Sequence, residues 1–142
     1  MIFPIKLSDK RIVYMRGEDY SNNFIILADM NMYLSHVHSS VCFELKHSNE
    51  KYKNCIEAFA NSKMYPVPLS TCGMFYEYDK GIRSFYMNNG ITRIQFLKDN
   101  GAKWFPVFCP ILQFREFLSK IGIRRPFARP VISTSEIFFR HI

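Results

Sequence analysis

The chain has 142 residues, of which 48% are hydrophobic, 22% charged and 16% aromatic, and it carries a net charge of +7. That length fits one domain of the usual roughly 100–200 residues, and the apolar share excludes wholesale disorder. No run approaches the roughly 20 apolar residues of a membrane span, so insertion into a bilayer is not expected.

The charge is uneven. Residues 103–142 hold seven Lys/Arg against two Asp/Glu, whereas residues 1–102 hold twelve against ten. A basic C-terminal quarter favours an anionic partner, either nucleic acid, an acidic protein face or a phosphorylated small molecule. Met1-Ile2-Phe3-Pro4-Ile5-Lys6 lacks the basic and long apolar regions of a secretory signal, which points to the cytoplasm. Cys42, Cys55, Cys72 and Cys109 form no C-x-x-C pair. They read as reduced, mostly buried thiols, not as a zinc or dithiol site.

In chain order, Arg11-Ile12-Val13-Tyr14-Met15 reads as a strand and Phe24-Ile25-Ile26-Leu27 as a second. The second is apolar throughout, as a strand buried on both faces is. With the polar turn 17–23 between them, the two suggest a hairpin. Asp29 is placed to cap a short helix over 30–36, with Met30, Tyr33, Leu34 and Val37 on one side. A short strand at 41–45 follows. Ser48 or Asn49 then caps a helix over 50–62, whose stripe is Tyr52, Cys55, Ile56, Phe59 and Ala60. Pro66 and Pro68 impose extended backbone. Residues 69–78 and 82–87 read as paired strands.

Asn88-Asn89-Gly90 reads as a tight turn between a strand ending at Met87 and a helix running to about Asn100. Ile91, Ile94 and Leu97 face inward on that helix, and Gly101 is its C-terminal cap. A strand over 105–109 follows. Pro110 opens a last helix lined by Ile111, Phe114, Phe117, Leu118 and Ile121 and closed by Gly122. The tail 123–142 carries Arg124, Arg125, Arg129 and Arg140 around two prolines, with a short strand or helix at 135–139.

A strand, a Gly turn and a helix make a phosphate-binding geometry, because the first helical amides lack partners and sit at the positive end of the helix dipole. Asn89, Gly90, Thr92 and Arg93 are therefore the candidate phosphate or nucleic-acid residues, with Arg93 supplying a guanidinium fork. The alternative is an ordinary strand-to-helix corner with an exposed arginine. Arg115, Lys120, Arg124, Arg125 and Arg129 alternate with Phe114, Phe117 and Phe127 as a candidate basic surface suited to single strands, unless those rings simply fill the core. His36 and His38 form an H-x-H pair, and Glu77 and Asp79 flank a turn, but surface roles fit all four better than metal ligation.

The segment from Phe85 through Gly90, Arg93, Gly101 and Pro106-Val107 resembles the ParB/sulfiredoxin-like fold: an apolar strand, a G-x-x-R turn, a helix, a glycine and a strand opening with Pro-Val. The helix at 50–62 and the Pro-Val-Pro strand at 66–69 stand where that fold places them. Within it, residues 10–122 are most similar to the plasmid fertility-inhibition factors, which block conjugative DNA transfer. The resemblance implies an α/β (α+β) domain over 1–122, a small mixed sheet with three or four helices, and a basic extension at 123–142. It implies a bacterial cytoplasmic inhibitor of conjugation encoded on a plasmid or other mobile element. It also implies that Gly90 and Arg93 hold a phosphate of nucleic acid or of a nucleotide with a divalent cation. ParB-like members carry an acidic and then a basic residue where this chain has Ile91 and Thr92, and sulfiredoxins carry a cysteine where Ile91 stands. Sulfinic reductase chemistry is therefore not expected, and nucleotide hydrolysis or weak nuclease activity is an open question. The other reading is an immunity or anti-defence protein that occludes a protein component of the transfer or defence machinery and carries a degenerate nucleotide site.

Overall fold

The computed structural model describes residues 1–17, 23–36, 50–77, 81–122 and 137–138. They form a mixed α+β fold with two sheets. Strands β1 (Ile2–Lys6), β2 (Ile12–Arg16) and β4 (Val67–Pro68) make a three-stranded sheet in the order β1-β2-β4. Strands β3 (Asn23–Asp29), β5 (Ser70–Glu77), β6 (Ile82–Asn89), β7 (Trp104–Pro110) and β8 (Ile137–Phe138) make a five-stranded sheet in the order β6-β5-β7-β3-β8. Helices α1 (Met30–His36), α2 (Glu50–Ala60), α3 (Ile91–Asp99) and α4 (Phe114–Ile121) complete it, with a 3-10 turn at Ile111–Gln113 leading into α4.

The apolar run of β3 behaves as its composition dictates. Ile25, Ile26, Leu27 and Ala28 are all buried, because the strand lies inside the sheet, antiparallel to β7 with Ile26 opposite Val107 and parallel to β8. The expected hairpin between residues 11–15 and 24–27 does not form. β2 pairs instead with β1, Phe3 opposite Met15 and Ile5 opposite Val13. A strand apolar on both faces needs cover on both sides, whereas β2 alternates and needs only one.

Pro4 hides β1 in the sequence. Gly17 N–H donates to the Met1 carbonyl at 3.0 Å and Leu7 N–H to that of Arg11 at 2.8 Å, so the odd-numbered residues of β1 bond to β2. Pro4, which has no N–H to give, is directed away from the partner strand. A proline is tolerated at such an edge and protects it from pairing with other chains.

The helices follow their local signals in part. Asp29 Oδ1 accepts the Met32 N–H at 2.9 Å, the expected cap. On α2, Tyr52, Cys55 and Phe59 are buried, but Ile56 is 46% exposed and Ala60 also faces solvent, so the stripe is narrower than its spacing suggests. The α2 stripe meets α3 through Phe59 stacked on Phe96, with ring centroids 4.4 Å apart and planes 6° from parallel. Tyr52 Oη donates to Asp99 Oδ2 at 2.6 Å. Ile94 and Leu97 of α3 are fully buried, as expected.

α3 ends in a Schellman motif: Gly101 N–H reaches the Lys98 carbonyl at 3.1 Å and Ala102 N–H that of Leu97 at 2.9 Å. Gly101 has φ +75°, a conformation that costs an L-residue with a Cβ about 1 kcal/mol or more. The same helix end receives the β1–β2 hairpin. Ser8 N–H donates to the Asn100 carbonyl at 2.9 Å, and Arg11 Nη2 donates to Asn100 Oδ1 at 3.2 Å. On α4, Phe117 and Ile121 are buried, and Phe24 meets Phe114 edge-on at 4.9 Å. The last helix does not begin at Pro110, which closes β7.

The strand expected at 41–45, the cap at Ser48 or Asn49, Val37 and Cys42 lie outside the described residues. No helix among the described residues is long and apolar enough to cross a membrane.

Cys55, Cys72 and Cys109 are buried thiols, and burial pushes Cys55 up to about 11 and Cys109 up to about 12. Folding therefore favours the neutral thiol. That contribution is intact below the unfolded thiol pKa of about 8.5 and is lost as pH rises towards the folded values. The melting temperature should fall above about pH 9, less steeply for Cys109→Ala, and at pH 8 the three thiols should react with a disulfide reagent only on unfolding. An equal fall in the variant would remove Cys109 as a cause.

Tyr33 is fully buried, and its hydroxyl has no hydrogen-bond partner among the described residues, while its ring meets Phe105 edge-on at 5.3 Å. Removing an unsatisfied hydroxyl relieves its desolvation cost. Urea titration of Tyr33→Phe should show stability unchanged or raised by about 1 kcal/mol; a clear loss would mean that the hydroxyl has a partner.

Candidate functional site

The turn between β6 and α3 is built by one residue. β6 continues through Asn89, which pairs with Thr71 beside a bulge, so the strand does not stop at Met87 and the bend falls on Gly90 alone. Gly90 has φ 85° and ψ 28° as the residue preceding α3. A Cβ there would run into Ser70 Oγ and the Arg93 guanidinium. Glycine is needed both for the backbone angle and for the space.

Ser70, the first residue of β5, is fully buried, and its hydroxyl donates to the Gly90 carbonyl at 2.8 Å. Arg93 Nη1 donates to the carbonyls of Pro68 and Leu69, each at 3.2 Å. These bonds span 20 to 25 residues of sequence, and no local pattern announces them. The Pro-Val-Pro stretch signalled extended chain at 66–69 but not what its carbonyls would hold.

Of the first three amides of α3, that of Arg93 bonds to the Gly90 carbonyl at 3.1 Å. Those of Ile91 and Thr92 precede the first intrahelical bond, and Gly90, at the N-cap position, has no side chain to cap them. Cys55 of α2 sits beneath the turn, with Sγ 3.8 Å from the Thr92 carbonyl. The Arg93 charge opposes the rise that burial imposes on that thiol. Among the described residues the turn thus keeps two open amides and the remaining guanidinium nitrogens, while half of the Arg93 fork serves the fold.

The candidate basic surface is only partly within the described residues. Arg115 is exposed, its guanidinium carbon 6.0 Å from the Phe114 ring centroid, and Lys120 pairs with Glu116 at 3.3 Å. Both belong to α4, which packs on α1 and β3, whereas α3 packs on α2 and β5. Arg124, Arg125 and Arg129 lie outside the described residues. His36 Nδ1 lies 2.9 Å from the Met32 carbonyl of its own helix; His38 and Asp79 are outside the described residues. Among the described residues, no cluster of three or more His, Cys, Asp or Glu side chains is placed to hold a metal ion.

Residues 21–122 match the family model of the plasmid fertility inhibition factors. No curated protein matches the chain. A crystal structure of an oncogenic suppression activity protein, a plasmid fertility inhibition factor in a gold(I) cyanide derivative, has the same fold, with a TM-score of 0.68 at 18% identity. The alignment covers 89% of this chain and 71% of that one.

Gly90→Ala should lower stability by roughly 1–3 kcal/mol, combining backbone strain with displacement of Ser70 or Arg93. Chemical denaturation checks this, and a neutral effect would show that the turn can adopt another course.

Proposed function

The chain belongs to the plasmid fertility inhibition factor family, and from that membership we propose that it lowers conjugative DNA transfer by binding and occluding a protein component of the transfer machinery inside the cell. The observation that favours occlusion over chemistry is the use made of Arg93. Its Nη1 is committed to the Pro68 and Leu69 carbonyls, and an aliphatic residue, Ile91, follows the glycine. A site for phosphoryl or nuclease chemistry needs acids, bases or a metal aimed at the reacting group, and aliphatic Ile91 supplies none.

A second reading rests on the amides of Ile91 and Thr92, which stand ahead of the first intrahelical bond. Together with the remaining Arg93 nitrogens they suit one phosphate of nucleic acid or nucleotide. In that reading the turn holds the ligand and the basic residues of the C-terminal quarter extend the contact along a nucleic-acid backbone.

Thr92→Glu separates the two. A carboxylate in the first turn favours the helix by about 0.3–1 kcal/mol but repels a phosphate. Occlusion predicts that donor cells expressing Thr92→Glu transfer a conjugative plasmid as poorly as those expressing the wild type, with an unchanged or higher melting temperature. Recovery of transfer by a stably folded Thr92→Glu would hand the mechanism to the phosphate-binding turn.

A further inference from the structure

The outer face of the β1–β2 hairpin is only partly covered: Ile2, Lys6 and Ile12 are exposed, and Pro4, Tyr14 and Arg16 are half-buried. Phe3, Ile5, Val13 and Met15 point into the core. The even-numbered residues point out and pair directly, Ile2 with Arg16, Pro4 with Tyr14 and Lys6 with Ile12. These are the pairs between the hydrogen-bonded ones, in which side chains lie closest. Ile2 is 43% and Ile12 52% exposed. The face therefore carries a continuous diagonal of Ile12, Tyr14, Pro4 and Ile2, with exposed Lys6 at one remaining corner and, at the other, half-buried Arg16, whose Nε donates to the Pro66 carbonyl at 3.2 Å. It lies outside residues 21–122, the segment that matches the family model.

Charge decides what such a face can accept. Residues 1–17 contain Lys6, Lys10, Arg11 and Arg16 and one carboxylate, Asp9, which Arg11 Nε already binds at 2.6 Å. A second copy would bring like charges together. Its apolar members are chiefly aliphatic and offer single-stranded nucleic acid little to stack on. Strand addition at the edge is blocked at Pro4, so a partner must lie across the face.

We propose that this face docks a protein segment with an apolar centre flanked by carboxylates, carried by the transfer component that the chain occludes. The proposal rests on the occlusion reading and adds the surface and the chemistry of the partner to it.

The test uses the full chain in donor cells. Ile12→Thr keeps a strand-forming residue and removes apolar surface; Lys6→Glu reverses one corner, and Lys6→Arg restores its sign. The first two should each weaken inhibition of transfer about tenfold, the scale of losing one well-placed interface residue, at unchanged melting temperature, while Lys6→Arg retains it. A photo-crosslinking residue at position 12 should attach to a transfer protein within a segment bearing Asp or Glu. Full inhibition by Ile12→Thr and Lys6→Glu, or attachment to DNA or a second copy alone, overturns the docking face. So does a loss of binding to a labelled single-stranded oligonucleotide by Ile12→Thr that parallels its loss of inhibition. A wild-type chain without effect on transfer removes the functional reading itself, and the docking face with it.

Discussion

Two sheets meet at a single residue of chain. Pro68 ends β4 in one and Ser70 begins β5 in the other, with buried Leu69 between them, its N–H on the Arg16 carbonyl at 3.1 Å. Arg93 fixes this crossing by giving Nη1 to the carbonyls on either side of the Pro68–Leu69 link. These two carbonyls leave the sheet ladders at the crossing and need a donor there. A guanidinium from the first turn of α3 supplies it, and so sets where α3 begins relative to both sheets. Ser70 adds a second tie to the same turn. The corner that looks like a ligand site is therefore also the joint of the fold.

This double duty bears on electrostatics. The chain is cationic overall, but among the described residues several cations are already engaged: Arg93 at the crossing, Arg11 on Asp9 and Asn100, Lys120 on Glu116. The exposed pairs add little stability and still leave positive potential at the surface, which speeds encounter with acidic partners. Charge alone therefore does not set binding specificity, which needs shape and apolar contact as well.

Much of this was readable in the sequence where the signal was local. The unbroken apolar run at 24–27 marked an interior strand, Asp29 marked its helix, and Gly90 and Gly101 marked the two ends of α3. The failures arose where partners are distant. The tendency of neighbouring strands to pair suggested joining β2 to β3, when β2 in fact turns back to a strand disguised by Pro4. The expected stripe on α2 is too wide because spacing does not reveal that Ile56 and Ala60 stay exposed. Gly90 was visible as a bend, but Ser70 and the Pro68 and Leu69 carbonyls were not, since a hydroxyl and two backbone oxygens at that separation leave no trace in composition or period.

α3 is anchored at both ends to material contributed by the N-terminal sheet: at its start by the β4–β5 crossing, and at its finish by Ser8 and Arg11 on Asn100. The boundary at which the family match begins, residue 21, is thus not a seam in the architecture. A fragment trimmed there would strip the Asn100 carbonyl of its donor and leave β4 without the strand it pairs with, so the leading seventeen residues are a structural member of this protein and not an appendage to it.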